Sequence, residues 1–152
     1  MTPVRVRPPY DWAALRGLIA SAFAGMEGRI VPPSSIHRLT ADDIARQADT
    51  GEVWVIGDPP LATVFLTPKD EALYIGKLAV AEAARKQGLA RLLLETAAER
   101  ARALGLTCLE LQTRVELVEN HAAFRALGFV LTGATAHPGH DRPTSLTFRK
   151  PV

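Results

Sequence analysis

A chain of 152 residues, 47% apolar and 22% charged, has the profile of one soluble globular domain over residues 1–152, large enough to bury a core without metals or disulfides. A net charge of +2 and a pI near 9.0 come from scattered basic residues, not the clustered stripe of a nucleic-acid binder, so no nucleic-acid partner is expected. The one cysteine, Cys108, excludes an internal disulfide, no apolar run approaches the roughly 20 residues of a membrane span, and MTPVRVRPPY lacks the apolar stretch of a signal peptide; the expected location is cytoplasmic.

Val4 to Arg7 alternates apolar and polar residues and predicts a first strand, stopped by Pro8 and Pro9. Asp11 can cap a helix whose apolar residues, from Trp12 and Leu15 to Ala22 and Phe23, recur at helical spacing until Gly25–Gly28. Residues 29–40 read as a loop containing Pro and Ser. Thr40 with Asp43 resembles a capping pair and opens a short helix through Ala48. From residue 52 the period becomes two. Glu52–Ile56 is a strand, Gly57–Pro60 a turn, Leu61–Thr67 a second strand, and Pro68–Asp70 a turn into a third over Leu73–Val80. Tight turns make these three an antiparallel meander.

Gly88 then leads into a helix of about four turns that Gly105 closes. Cys108–Thr113 alternates again, so the unit over 73–113 should be a right-handed parallel crossover. A helix over Leu117–Leu127 stops at Gly128, Phe129–Thr132 reads as a strand, 133–144 as a long polar loop, and Ser145–Arg149 as the last strand. The order is β-α-α-β-β-β-α-β-α-β-β. It describes an α/β fold: a mixed, mostly antiparallel sheet with a central parallel βαβ unit, flanked by helices. Cys108 reads as a small buried hydrophobe, Trp12, Phe23, Trp54 and Phe65 as core, and His121 as a helix-surface histidine.

The start of the helix after Gly88 has the wrong charge for its dipole. A helix N-terminus favours acids, yet Arg85, Lys86 and Arg91 crowd it, while Glu95 and Glu99 lie further along. Cations at a positive helix end make sense when an anion sits between them. A glycine-led turn with free backbone N–H groups is a site for phosphate.

LAVAEAARKQGLARLLL resembles the acetyl-CoA motif of the GNAT superfamily of N-acetyltransferases, whose Arg/Gln-x-x-Gly-x-Gly/Ala core is matched by Arg85, Gly88 and Ala90. NHAAFRALGF resembles the superfamily's second motif, a helix ending in Gly-Phe before a strand. The resemblance covers almost the whole chain and implies the GNAT (acyl-CoA N-acyltransferase) fold. Acetyl-CoA is then the co-substrate, a small-molecule or peptide amine the acceptor, and a homodimer is possible. It places Gln87, Gly88, Leu89, Ala90 and Arg91 at the CoA pyrophosphate through their N–H groups, with Arg85 and Lys86 adding charge. It places main-chain groups of Leu78, Ala79 and Val80 against the pantetheine arm, as an added strand would be.

The sequence departs from the family where many members carry a general-acid Tyr; that position is Phe124. Asn120, on the same helix face, either contacts pantetheine or caps the helix. CoA can leave as thiolate at a cost of about 2 kcal/mol at pH 7, whereas freeing an alkylammonium of its proton costs about 4–5 kcal/mol. The base therefore matters more than the acid. Leu109-Glu110-Leu111 matches a pattern in which the Glu is that base, and Glu110 is the catalytic candidate, with Glu116 and His121 as alternatives. His137, His140 and Asp141 lie in a Pro-Gly loop without the helix that presents metal ligands in pairs, so no metal is expected; they could touch the acceptor, as could residues 27–37. The resemblance implies an N-acetyltransferase. A non-catalytic acyl-CoA sensor of the same fold is the alternative that Phe124 raises.

Overall fold

The computed structural model describes residues 1–152. Its elements are β1 (Val4–Arg5), α1 (Trp12–Phe23), α2 (Ala41–Thr50), β2 (Glu52–Ile56), β3 (Ala62–Lys69), β4 (Ala72–Val80), α3 (Leu89–Ala103), β5 (Cys108–Arg114), α4 (Val118–Ala126), β6 (Val130–Thr135) and β7 (Ser145–Pro151). The seven strands form one sheet in the order β1-β2-β3-β4-β5-β7-β6, antiparallel throughout except for the parallel pair β4–β5 that α3 connects. No helix is long and apolar enough to cross a membrane.

Alternation along the strands divides the core between the two faces. Ile56, Val64, Leu66, Leu73, Ile75, Leu109, Leu111 and Phe148 pack under α3 and α4; Val53, Val55, Phe65 and Ala79 pack under α1 and α2. Cys108 is buried in β5, as expected of a small hydrophobe. The capping pair ahead of α2 forms in both directions: Asp43 N–H donates to Thr40 Oγ1 at 3.1 Å, and Thr40 N–H to the Asp43 carboxylate at 2.9 Å.

Several boundaries differ from the sequence expectation, each for a physical reason. Only Val4 and Arg5 pair as β1, although the N–H of Val6 still donates to the Val53 carbonyl at 2.9 Å. The expected turn at Pro68 is strand instead, because β2 ends opposite Leu66 and leaves β3 beyond it with one neighbour, where a missing N–H costs no ladder bond. Residues 133–135 belong to β6 rather than to the loop, paired with β7 at the sheet edge. His121 is buried, not on the helix surface: its Nε2 bonds the Arg114 carbonyl at 2.9 Å and its ring lies 5.9 Å from that of Phe148.

Candidate functional site

The site begins where β4 and β5 part. Their parallel pairing runs from Ala72–Cys108 to Ile75–Leu111 and stops. Beyond it Gly76–Val80 pairs only with β3, and Gln112–Arg114 only with β7. A bulge in β4 starts the divergence. Phe65 faces Gly76 and Thr63 faces Ala79, so Val64 alone opposes both Lys77 and Leu78, and Lys77 takes a left-handed φ of 49°. The signal was in the sequence, since a glycine inside a strand, Gly76, often marks a bulge.

A cavity of about 550 Å³ fills the opening. Its floor comes from Tyr74–Leu78 of β4 and Leu111–Arg114 of β5, and one wall from Leu117, Asn120 and Phe124 around α4. The opposite wall comes from Phe23 and Met26, the Pro32–Ser35 segment, His37 and Arg38, with His137 and Ser145 at the remaining side. The 30s segment is stitched to β5: Arg114 donates to the carbonyls of Pro32 at 2.6 Å and Pro33 at 3.3 Å, and the N–H of Val31 to Glu116 Oε2 at 3.2 Å.

At the far end of β4 the chain turns into α3. Gly88 caps that helix with φ 80° and ψ 14°, a left-handed conformation natural to glycine, and a Cβ built there would meet nothing within 4 Å. The first helical bond runs from the N–H of Leu92 to the Gly88 carbonyl, which leaves the N–H groups of Gln87, Gly88, Leu89, Ala90 and Arg91 without backbone acceptors. No acid occupies the first turn, and Arg85, Lys86 and Arg91 have no carboxylate within 4 Å. Arg85 instead donates to the Ala22 carbonyl at 3.4 Å, near the end of α1. Free donors, flanking cations and open space in front of Gly88 together suit a diphosphate.

The structure brings Leu78, Asn120 and Phe124 around the cavity, with the glycine turn beyond its lining where β4 leads into α3, but it holds Glu110 apart. That residue is 5% exposed, and its carboxylate accepts from Arg149 Nε at 2.9 Å and Lys69 Nζ at 3.1 Å. Burial works against its charge, yet the hydrogen bonds and charges of Arg149 and Lys69 prevail and hold its pKa below the usual carboxylate range. It does not line the cavity. An ionised carboxylate with two cationic donors is a poor proton acceptor. Glu116 is engaged by Val31, while its Oε1 is buried without a partner.

Lys77, which the sequence did not single out, and His137, which it named as a possible acceptor contact, both line the cavity. Lys77 Nζ donates to Ser35 Oγ at 3.3 Å, and burial lowers its pKa. His137 bonds Thr144 Oγ1 through Nδ1; burial first, then Arg114 and His140, push its pKa down against the pull of Glu116, which favours the neutral imidazole. Of the other loop residues, His140 and Asp141 stay outside the cavity. Asn120 Nδ2 reaches Thr113 Oγ1 at 3.5 Å, and Phe124 packs edge-on to Phe129 with ring centres 5.8 Å apart.

Comparison with known proteins bears on this geometry. The sequence model described as the acetyltransferase (GNAT) family matches residues 12–129. No curated protein matches the chain. Among solved structures, the chain resembles an acetyltransferase of the GNAT family from Staphylococcus aureus Mu50 (TM-score 0.77, 12% identity, 99% of this chain and 98% of that one). It also resembles an IAA acetyltransferase from Bacillus cereus ATCC 14579 (TM-score 0.69, 19% identity, 99% of each chain). A third is the ribosomal-protein-S18-alanine N-acetyltransferase from Escherichia coli (TM-score 0.70, 18% identity, 99% and 92%). At these identities the likeness is one of fold.

Proposed function

The chain belongs to the GNAT acetyltransferase family, and from that premise we propose that it moves an acetyl group from acetyl-CoA to the nitrogen of a primary amine. Membership makes it an acyltransferase with the GNAT fold. The observation that carries the finer reading is the parting of β4 from β5, because it leaves a strand edge and a cavity, and the same strand runs on toward the free N–H donors at the start of α3.

Each part of the cleft has a role in this reading. The N–H groups of Gln87 through Arg91 hold the CoA diphosphate, Gly88 leaves room for it, and Arg85, Lys86 and Arg91 supply counter-charge. The unpaired edge of Leu78, Ala79 and Val80 takes the amides of the pantetheine arm as a strand would. An N–H from the same edge receives the developing oxyanion. The acceptor nitrogen enters from the cavity side as the free amine, bonds to the thioester carbonyl carbon, and the C–S bond breaks to release CoA as thiolate. Phe124 has no proton to give that sulfur, and a thiol pKa of about 8.5 makes one unnecessary at a cost of about 2 kcal/mol at pH 7. His137, neutral and with Nε2 not committed to Thr144, is the group placed to take the proton from the amine.

The test is thiol release from acetyl-CoA over a panel of amines, with the N-acetyl product identified by mass spectrometry. Acceptor-dependent thiol is the expected result. Tight CoA binding without thiol release from any amine would favour an acyl-CoA sensor instead.

A further inference from the structure

We propose that the amine accepted at this cavity also carries a carboxylate, held by the ammonium of Lys77 with the Ser35 hydroxyl beside it; the proposal rests on the acetyltransferase reading. The warrant is the charge of the lining. Arg38, Lys77 and Arg114 are its basic side chains, His37 and His137 its histidines, and no Asp or Glu lines it. Three of these five are engaged by the protein, His137 through its bond to Thr144. His37 is paired with Glu27, while Arg114 spends two donors on proline carbonyls and has Glu116 behind it. Lys77 and Arg38 have no carboxylate within 4 Å. Arg38 is exposed to solvent, but Lys77 is half-buried, and its one polar partner is a neutral hydroxyl.

A half-buried ammonium without an anion is unfavourable unless something completes it. A second ammonium, as on a polyamine or an aminoglycoside, would meet like charge and find no acid to receive it. A neutral monoamine would leave Lys77 as it stands. An amino acid supplies the missing anion and brings its amine to the floor between β4 and β5, where Lys77 itself sits on the bulge. The surrounding cations also assist the chemistry, since positive charge near an ammonium lowers its pKa and raises the fraction of free amine. The cations that face the CoA diphosphate, Arg85, Lys86 and Arg91, are not part of this cavity, so the two anion sites are separate.

The experiment compares amino acids with the amines left by their decarboxylation, phenylalanine against phenethylamine and γ-aminobutyrate against propylamine, with spermidine and O-phosphoethanolamine as further arms. Thiol release is measured for wild type, Lys77→Met and Lys77→Arg, with thermal unfolding to confirm that each variant folds. The amino acids should exceed their matched amines in kcat/KM by about tenfold or more, as expected for one charge-assisted contact. In Lys77→Met that ratio should collapse about tenfold through KM, with Lys77→Arg recovering part of it. A preference for spermidine or the matched amines, or an equal loss on both members of each pair, overturns the proposal and leaves the acetyltransferase reading intact. Preference for O-phosphoethanolamine over every amino acid overturns the carboxylate in favour of a phosphate. If no amine releases thiol, the acetyltransferase reading fails by itself, and calorimetry decides the anion site. N-acetylphenylalanine should then bind wild type and lose about tenfold in affinity in Lys77→Met, while N-phenethylacetamide should not discriminate; no binding of the acid overturns it.

Discussion

Charge in this molecule is handled in two opposite ways, and the two regions sit within one sheet. Glu52 and Glu110 are each 5% exposed and fully surrounded by donors. Glu52 accepts two bonds from Arg100, at 2.9 and 2.7 Å, and one from the Trp54 indole at 2.8 Å, with Arg5 3.8 Å away. Glu110 has Arg149 and Lys69, and Arg149 reaches on to Glu71 at 2.8 Å. Around the cleft, by contrast, Lys77, Arg85, Lys86 and Arg91 have no carboxylate. Unpaired surface cations are ordinary in themselves. These are set apart because they flank free N–H groups or line a concavity. Where the chain satisfies charge internally it is holding strands and helices together, and where it leaves cations unpaired around the cleft the proposed reading supplies an anion from outside.

The sharpest way to break that contrast is to unpair a structural charge. Arg100 anchors α3 to β2, and Arg100→Met would leave the Glu52 carboxylate with Trp54 and a distant Arg5. We expect a loss of about 3 kcal/mol in urea unfolding at pH 7, because an abandoned buried charge costs more than the pair contributes. Glu52→Gln should cost less, about 1–2 kcal/mol, since Arg100 is 29% exposed and can turn to water. The pH dependence has a definite sign. Burial opposes the Glu52 charge, but the bonds from Arg100 and Trp54 prevail and hold its pKa below the usual value. Its contribution is therefore complete above the unfolded pKa of about 4.3 and fades as pH falls through the folded value. The gap between wild type and Glu52→Gln should close in acid; a gap that widens there would contradict the assignment.

The same contrast explains what could be read in the sequence. Free cations were legible because their signal is local: Arg85, Lys86 and Arg91 stand within one turn of Gly88, against a dipole that favours acids. Element order, the Thr40–Asp43 capping box and the parallel unit around α3 are local or periodic as well. Paired charges were not legible, because their partners come from register. Glu110 looked like a base because Leu109-Glu110-Leu111 matches a family pattern, but Arg149 stands directly opposite it only once β5 lies beside β7. Lys69 completes the pair only because β3 runs on through Pro68. The burial of His121 under the sheet's last strands was illegible for the same reason, whereas His137 lay in a loop that the resemblance already set near the acceptor. Lys77 is the intermediate case, since Gly76 hinted at a bulge while the opening beside it depends on β5.

The next test places charge where the molecule has left room for it. Gly88→Glu sets a carboxylate among the free N–H groups, and we expect CoA affinity by calorimetry to fall about 100-fold, through repulsion and occupation of the diphosphate position. Gly88→Ala is the control. Its methyl meets no protein atom within 4 Å, so the change should cost only about 1 kcal/mol of stability for the left-handed φ of 80°, and, bringing bulk without charge, it should weaken CoA binding less than Gly88→Glu does. Equal CoA affinity in Gly88→Glu and wild type would remove the diphosphate from this turn.

The smallest effect on rate is expected where the sequence pointed most directly at catalysis. Glu110→Gln keeps a hydrogen-bonding side chain between Arg149 and Lys69 but removes its charge. Stability at pH 7 should drop by about 1 kcal/mol, since Lys69 is exposed and Arg149 retains Glu71. With the Glu110 pKa held low by its donors, that difference too should shrink as pH falls below about 4. The pH–rate profile for acetyl transfer should keep its shape, because the carboxylate does not reach the cavity. His137→Gln is the informative partner. If His137 takes the amine proton, wild-type kcat/KM falls as pH drops through a histidine pKa below its ordinary value of about 6.5, and the variant loses that limb together with about 100-fold in rate. The reverse pattern, a profile altered by Glu110→Gln and untouched by His137→Gln, would return the proton to Glu110. It would also mean that a carboxylate between two cations can still serve as a base, which is the one outcome the contrast between paired and unpaired charge does not permit.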